Sequence, residues 1–405
     1  MKKSNVLLTL CLLAAATLFN SCQKDNSLIS NSADSTALSN QLANDVTNSD
    51  ATTDALTTRD SRNEDDDENG AVFVMNNATD DNKVLVYKRN QDGLLTAAGS
   101  FSTGGKGTGG GLGSQNALLR DGKFLYACNA GSNDFTVFKI KGTTLTHLAK
   151  VASNGTRPIS ITAYDELVYV LNGGGNGNIA GFRWKENGHL TAINGSIRPL
   201  STNTMGSAQI QFNPSGKVLV VTEKPTNIID TYQVGSNGVA AAGVAHASVG
   251  MTPFGFAFTS NGRLIVSNAA GGGANLSTLS SYNLSNMGAL NVISAKIADK
   301  QSAACWVVVA NNNKYCYTTN TGSGNISGYT INASGALTLL NADGITATTG
   351  AGPIDFNLSG NGRYLYTLNG AGHSISIHRV NNNGSLTALG TLTGLPVGAV
   401  GLAAK

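Results

Sequence analysis

The residue best suited to chemistry in this 405-residue chain stands in a position that the sequence repeats seven times. Seven short apolar runs end at the same polar position, which is Asn in six runs and Glu223 in the run LVVTE. The six amides are Asn76, Asn129, Asn172, Asn268, Asn320 and Asn369. A carboxylate can take up a proton, which an amide cannot do, so Glu223 is the first candidate for a functional side chain.

A structural role for Glu223 is the alternative. Asn and Asp side chains commonly hydrogen-bond the backbone of a turn, which would explain the six amides. Glu223 could make the same bonds, or it could form an ion pair with Lys224 or Lys217. The sequence leaves both roles open.

The spacing of this position predicts the elements that hold it. Consecutive members lie 43 to 53 residues apart, an interval typical of repeated supersecondary units. In the unit from 352 to 387, polar turns such as Asn361-Gly362 separate short apolar segments. The predicted strands are 353–358, 363–369, 374–380 and 385–389. Four antiparallel strands in one unit form the blade of a β-propeller.

The two ends of the repeat region predict a closed ring. The first unit starts directly with its second strand, Ala71 to Asn76, and the chain finishes with one further strand, Pro396 to Ala404. If the last strand completes the first blade, two open sheet edges are buried. We therefore expect an all-β fold, a closed seven-bladed β-propeller over residues 71–405. A solenoid would need capping units, and the sequence has none.

The first 22 residues are typical of an export signal. Lys2 and Lys3 precede an apolar stretch from Val6 to Leu18, shorter than the roughly 20 residues that cross a membrane. The stretch leads to Cys22 and resembles a bacterial lipoprotein signal, which implies a lipid on Cys22. The alternative is ordinary signal cleavage with an incidental cysteine.

Residues 23–70 predict a disordered acidic tether. They contain 11 acidic and 3 basic residues and few apolar ones, whereas the repeat region carries a net charge near +9. We therefore expect an exported protein that is lipid-anchored at the cell envelope, on the periplasmic or the surface face of the outer membrane. The lipid anchor would be its only membrane contact, and we expect a monomer.

Three segments of the repeat region together resemble the lactonase-type seven-bladed propellers, a family that includes 6-phosphogluconolactonase and the carboxymuconate-cyclising enzymes. The segments are 211–234, 304–329 and 353–380. The resemblance implies the hydrolysis or isomerisation of a sugar-type lactone, with Glu223 as the base.

The residues expected beside that base are missing. In the family, the first strand of the central blade often reads Gly-Pro-Arg-His, and a cation or donor is needed for the oxyanion that forms when a lactone opens. Here Ala208 replaces the Arg and Gln209 the His. This departure supports two competing hypotheses: a non-catalytic propeller that binds a ligand or a partner at the cell envelope, and a structural envelope protein.

Polar residues of the innermost strands could form a ligand site around the propeller axis. Counting back from the turn glycines gives the matching positions Gln115, Ser160, Gln209, Trp306 and Asp355, with Gly255 and Gly398 in the other two blades. This ring could hold a small lactone or a carbohydrate, with Arg157 and Lys224 supplying positive charge. The alternative is that the ring only contacts water in a narrow channel.

Other sequence features argue against further classes of site. The basic residues are spread over all blades, so we expect no nucleic-acid partner. The glycine-rich run at 104–113 lacks the ending of a phosphate loop and is interpreted as an inter-blade loop. The sequence suggests no metal site and no cofactor. Cys128, Cys305 and Cys316 are predicted to be buried thiols, with a Cys305–Cys316 disulfide as the alternative.

Overall fold

A computed structural model describes residues 70–185, 189–202 and 205–405. In this part of the chain, 30 β-strands form seven antiparallel sheets. The same residues contain no helix with the length and apolar character needed to cross a membrane. The predicted signal at 1–22, its Cys22, and the predicted tether apart from Gly70 lie outside the described residues.

The seven sheets are the blades, numbered here from the N-terminus and given from the innermost strand outwards. Blade 1 contains β30 (Val400–Ala404), β1 (Ala71–Met75), β2 (Lys83–Arg89) and β3 (Leu95–Ser102). Blade 2 contains β4 (Leu118–Asp121), β5 (Phe124–Asn129), β6 (Asp134–Lys141) and β7 (Thr144–Ala152). Blade 3 contains β8 (Pro158–Tyr164), β9 (Leu167–Asn172), β10 (Asn178–Trp184) and, both paired with β10, β11 (Leu190–Ala192) and β12 (Arg198–Pro199).

The remaining four blades follow the same order. Blade 4 contains β13 (Ser207–Phe212), β14 (Val218–Glu223), β15 (Ile228–Gln233) and β16 (Val244–Ala247). Blade 5 contains β17 (Pro253–Phe258), β18 (Arg263–Asn268), a 3-10 turn (Ala270–Gly272), β19 (Thr278–Leu284) and β20 (Leu290–Ala298). Blade 6 contains β21 (Ala304–Val309), β22 (Tyr315–Asn320), β23 (Asn325–Ile331) and, both paired with β23, β24 (Leu337–Leu339) and β25 (Ala347–Thr348). Blade 7 contains β26 (Pro353–Leu358), β27 (Tyr364–Asn369), β28 (Ser374–Val380) and β29 (Leu386–Thr393).

The last strand of the chain closes the ring. β1 pairs antiparallel with both β2 and β30, and the backbone N–H of Lys405 donates to the carbonyl oxygen of Ala71 at 2.7 Å. The innermost strands touch one another in the order β4, β8, β13, β17, β21, β26 and β30, and β30 touches β4 again. The predicted all-β, seven-bladed, closed propeller is therefore confirmed.

Burial along each blade follows from its place between two neighbours. β5, β14 and β27 are buried at every residue, because adjacent blades cover both faces of these second strands. The outermost strand β3 is largely exposed. The apolar core is therefore divided among the contacts between blades, as where the rings of Phe135 in blade 2 and Phe182 in blade 3 meet edge to face at 5.1 Å.

Buried tyrosines tie neighbouring blades together. In three blades a Tyr of the second strand donates its hydroxyl to a glycine carbonyl in the outer turn of the next blade. The pairs are Tyr169–Gly238 (2.7 Å), Tyr317–Gly384 (2.9 Å) and Tyr366–Gly93 (2.9 Å). The last pair joins blade 7 to blade 1 and so supports the closure of the ring.

Two of the cysteines are buried free thiols, as expected. They are Cys128 and Cys316. Cys305 is also buried, on β21 beside the strand that carries Cys316, but it is disulfide-bonded, so the prediction of a free thiol is wrong for this residue. Because Cys316 is a free thiol, no disulfide joins it to Cys305.

Candidate functional site

The repeated Asn position joins the second and third strands of a blade. In blade 6, Asn320 Nδ2 donates to Asn325 Oδ1 at 2.7 Å and to Ser327 Oγ at 2.8 Å. Asn129 and Asn369 make the matching pair of bonds to the residues five and seven positions further on. The amide therefore has a structural role in these blades, and its partners are side chains rather than the turn backbone.

In blade 4 the same place holds a pair of carboxyls. Seven residues beyond Glu223 stands Asp230, where blades 2, 6 and 7 have Thr or Ser. Glu223 is 1% exposed and Asp230 is fully buried. Burial, followed by the hydrogen bond with Asp230, raises the pKa of Glu223 to about 7. Glu223 therefore keeps its proton up to near neutral pH, because a charge on Glu223 is costly in a buried place beside Asp230.

Residues just before blade 4 also donate hydrogen bonds to the carboxyl oxygens of Glu223 and Asp230. Ser201 Oγ donates to Glu223 Oε1 at 2.9 Å, and the Thr202 hydroxyl donates to Oε2. Asp230 Oδ2 accepts from the Ser201 backbone N–H at 3.1 Å and from the Tyr232 hydroxyl at 3.3 Å. Glu223 thus lies within a buried hydrogen-bond network, and in the described residues it forms no ion pair with a lysine.

Lys224, the next residue, lies at the mouth of the propeller channel, the end of the ring where the innermost strands begin. Its Nζ donates to the Gly113 carbonyl oxygen at 2.6 Å and stands 4.6 Å from the ring centroid of Phe254. Burial lowers the pKa of Lys224 to about 8, and the nearby Arg157 guanidinium lowers it further in the same direction. Arg157 is therefore near enough to Lys224 to act on its charge.

Gln115 crosses the channel and fills it. Its Nε2 donates to the Val307 carbonyl oxygen at 2.8 Å, and its Oε1 accepts from the Val307 N–H at 3.0 Å, which joins blade 2 to blade 6. Trp306 Nε1 makes a second crossing to the Ser114 carbonyl oxygen at 3.0 Å. The crossing requires a glycine at position 255, because a Cβ on Gly255 would lie 2.2 Å from Gln115 Oε1 and clash with it.

The other predicted ring residues bind the backbone of the adjacent blade. Gln209 exchanges two hydrogen bonds with the backbone of Phe256, at 2.9 and 2.7 Å. Ser160 Oγ accepts from the Ile210 N–H at 3.1 Å. Both side chains are fully buried. They therefore fasten blade 4 to blade 5 and blade 3 to blade 4.

Asp355 has the same kind of role in blade 7. Its carboxyl accepts from the N–H of Phe356 and from the N–H of Leu402 in the closing strand, both at 2.9 Å. Burial raises the pKa of Asp355 to about 8, although the two backbone donors oppose this shift. The carboxyl is thus buried at the contact between the first and last blades.

Behind the mouth, the described residues nearly fill the channel. A cavity of about 10 Å3 remains among Gly111–Ser114, Trp306 and Val400–Gly401. That volume is at the lower limit for one water molecule. Phe254 and Trp306 pack against each other beside it, with ring centroids 4.9 Å apart. The described residues also contain no cluster of three or more His, Cys, Asp or Glu side chains placed to hold a metal ion.

The sequence identified Glu223 but missed its partner. A comparison with blades 2, 6 and 7, which have Thr or Ser seven residues beyond the Asn position, would have shown Asp230 as a second departure in blade 4. The crossing made by Gln115 has no such signal, because it joins residues 192 positions apart.

Comparison with known proteins places these features in a family. The family model described as "Lactonase, 7-bladed beta-propeller" matches residues 68–199 and 274–399, most of the repeat region. The match leaves out residues 200–273, which contain Glu223, Asp230 and all of blade 4. No curated protein sequence matches the chain significantly.

Solved structures with the same fold are only distantly similar in sequence. A candidate 6-phosphogluconolactonase from Bacteroides fragilis is 19% identical with a TM-score of 0.62, over 85% of this chain and 100% of the other. A protein from Lactobacillus plantarum is 17% identical with a TM-score of 0.67, over 83% and 99%. The periplasmic gluconolactonase PpgL of Pseudomonas aeruginosa is 14% identical with a TM-score of 0.61, over 82% and 98%.

At these identities the structural matches establish the fold alone, whereas the family model covers more than half of the chain. The protein therefore belongs to the lactonase family of seven-bladed β-propellers.

Proposed function

We propose that this protein is a non-catalytic binding propeller that holds an anionic sugar acid at its channel mouth. The proposal rests on the closed channel: Gln115 is bound to Val307 across it, and the cavity that the described residues leave there has a volume of about 10 Å3. Ligand sites for small molecules usually have volumes of about 300 Å3 or more. This cavity is therefore too small to hold a lactone.

The groups that open a lactone are also absent or occupied. A base needs access to water or substrate, and Glu223 is buried with its oxygens bound to Ser201, Thr202 and Asp230. Gln209, in place of the family's His, has its amide bound to the Phe256 backbone. The family model also leaves out the stretch that contains these residues. These observations support binding without turnover.

Arg157 and Lys224 support the binding part of the proposal. The two cations are near enough for one to lower the pKa of the other, and neither forms an ion pair within the described part of the chain. A carboxylate or phosphate beside them would relieve this repulsion and form charge-assisted hydrogen bonds. Sugar acids carry these groups together with hydroxyls.

Calorimetric titration with 6-phosphogluconate, gluconate and glucose tests the binding. The two anions should bind saturably and glucose should not. Arg157→Gln and Lys224→Met should each weaken anion binding about tenfold, as expected for the loss of a charged hydrogen bond. Lys217→Gln, which removes a charge from an exposed turn at the other end of the ring, is the matched control. Absence of binding at millimolar concentrations would contradict the proposal.

A lactone assay tests the absence of turnover. Purified protein should leave 6-phosphogluconolactone and glucono-δ-lactone to hydrolyse at their spontaneous rates between pH 6 and 8. A rate above the spontaneous one that requires the folded protein would rule out the non-catalytic proposal.

Lactone hydrolysis by the carboxyl pair is the second candidate. It is favoured by one observation, namely that the pKa of Glu223 is raised to about 7, the range suited to a general base. In that case Glu223→Gln should abolish turnover and Lys217→Gln should retain it. Turnover that survives Glu223→Gln would exclude this mechanism.

We also propose that the protein is exported and anchored through a lipid on Cys22. The short apolar stretch that leads to Cys22 supports this proposal. In a bacterial host, labelled palmitate should enter the wild-type protein and should not enter Cys22→Ser. Label in that variant would contradict anchoring at Cys22.

A further inference from the structure

Blades 5 and 6 form an open cleft at the end of the ring opposite the channel mouth. Its volume is about 530 Å3, within the range of small-molecule sites. The walls are the turn from β17 to β18, the turn from β21 to β22, and the end of β23. Side chains that carry its chemistry are Asn261, Arg263, Lys314, Tyr315 and Asn332.

The rim of the cleft is fixed by hydrogen bonds between the two blades. Asn313 Oδ1 accepts from the Ser260 N–H at 2.7 Å, and Asn313 Nδ2 donates to Ser260 Oγ at 2.9 Å. Within blade 5, Thr259 Oγ1 accepts from the Arg263 N–H at 2.9 Å. The walls are therefore held in place before any ligand binds, which reduces the entropy lost on binding.

Arg263 occupies a position that other blades fill with an apolar side chain. Five residues before the repeated Asn or Glu, blades 6 and 7 have Tyr315 and Tyr364. The ring of each tyrosine packs against a turn glycine of the next blade. In blade 5 the aliphatic part of the Arg263 side chain packs against Gly335, a turn glycine of blade 6, in the same way. This blade contact thus brings a cation to a place that the repeat otherwise uses for packing.

The guanidinium of Arg263 is oriented but incompletely bonded. Its Nη1 donates to Asn283 Oδ1 on the neighbouring strand, which fixes the plane of the group. Its Nε is buried and has no acceptor among the described residues. Nε and Nη2 form one edge of the guanidinium, the edge that binds a carboxylate or sulfate through two parallel hydrogen bonds.

We propose that this cleft binds an anionic saccharide. The Nε–Nη2 edge of Arg263 binds a carboxylate or sulfate oxygen pair, and Lys314 adds a second positive charge. None of the residues that line the cleft is acidic. Tyr315 offers an aromatic surface for a sugar ring, and Asn261 and Asn332 offer amides for its hydroxyls. The site is separate from the channel, so it does not depend on the function proposed above.

Binding of defined oligosaccharides to the full chain tests the inference. The probes are tetragalacturonate for the carboxylate, a sulfated galactose disaccharide for the sulfate, and a neutral galactose disaccharide as the uncharged control. At least one anionic probe should bind saturably and the neutral one should bind at least tenfold more weakly. The probe that binds identifies the anionic group. If neither anion binds at millimolar concentration, the inference is wrong.

Matched variants separate this cleft from the channel mouth. Arg263→Gln should weaken binding tenfold or more, and Arg263→Lys, which keeps the charge but loses the two-point edge, should weaken it by several-fold. Arg363→Gln removes a similar charge from blade 7 and should leave binding unchanged. Circular dichroism and melting temperature establish that each variant is folded. If binding survives in Arg263→Gln but is lost in Lys224→Met, the ligand binds at the channel mouth and the inference is wrong.

Discussion

Glu223, which is buried beside Asp230, is a titratable group. The matching residue of each other blade is an Asn, which does not titrate. In blades 6 and 7 a neutral amide takes its place and donates to a hydroxyl or to another amide, so the position does not titrate. Glu223 instead can hold a proton, and its raised pKa reflects the cost of a charge in a buried site beside Asp230. Stability of the propeller should therefore depend on pH through this residue.

The sign of that dependence follows from the direction of the shift. The folded-state pKa of Glu223 is about 7, above the ordinary value of 4.5. Between these values the folded chain holds more protons than the unfolded one, so the free energy of unfolding falls as pH rises through this window. Asp299, raised to about 6 by burial, and Asp355, raised to about 8, act in the same direction.

Glu223→Gln should reduce this loss of stability. A Gln amide can donate to Asp230 without a titrating proton, so the decrease in unfolding free energy from pH 5 to pH 8 should become smaller by about 1–3 kcal/mol. Urea unfolding at the two pH values measures the change, with the exposed Asp80→Asn as control. An unaltered pH dependence in Glu223→Gln would show that Glu223 does not titrate in this range.

Restoring the family's arginine should not restore a lactonase. Ala208 is fully buried in an apolar cluster with Phe254 and Trp306. Ala208→Arg would place an unpaired charge there, so we expect a loss of about 3 kcal/mol or more, measured as a lower melting temperature. Ser207→Ala, which removes a neighbouring hydroxyl that has no hydrogen-bond partner among the described residues, should be nearly neutral. A stable, active Ala208→Arg protein would contradict this packing.

At the scale of elements, the innermost strands use polar side chains to fasten blades that would otherwise meet only through apolar contacts. Gln115 reaches blade 6 from blade 2, Gln209 joins blades 4 and 5, and Asp355 holds the closing strand. The sequence pattern predicted that these residues share a ring. It gave no indication that their hydrogen bonds would be satisfied by backbone instead of by a ligand.

Gln115→Leu tests whether that side chain is structural. The substitution leaves the N–H and the carbonyl of Val307 buried without their partner, so we expect a loss of about 2 kcal/mol or more in unfolding free energy. Tyr87→Phe, at a hydroxyl with no hydrogen bond in the described residues, is a control with an effect near zero. Full stability combined with weaker ligand binding in Gln115→Leu would assign Gln115 to a ligand site.

At the scale of the whole molecule, the ring depends on the last five-residue strand. β30 pairs with β1, touches β4 and β26 on either side, and gives the Leu402 N–H to Asp355. Without it, blade 1 has an open edge next to the channel, and two blade contacts lose their inner strand. Closure should therefore contribute to the folding of all seven blades together.

Deletion of residues 400–405 should abolish cooperative folding. The expected result is loss of the sharp thermal transition and faster proteolysis of the chain. Deletion of residues 23–69 is the control, because it leaves every described strand in place. A sharp transition near the wild-type temperature in the 400–405 deletion would show that the ring does not need β30.

The amino-acid sequence by itself determined the architecture. The repeat of apolar runs, the turn residues between them and the unmatched strands at the two ends predicted seven blades, their strands and their closure. The strands of blade 7 lie within a few residues of the predicted ones. This succeeded because strand periodicity and turn chemistry are local properties, and because seven copies of one pattern reinforce each other.

Only the tertiary structure decided what the candidate residues contact. Glu223 is bound by Ser201, Thr202 and Asp230, and Gln115 by Val307 at a separation of 192 residues. The cleft of blades 5 and 6 likewise joins turns that are distant in the chain. Spacing in the sequence gives the register of each residue in its blade. Whether a side chain is buried, paired or open to a ligand depends on which blades close around it.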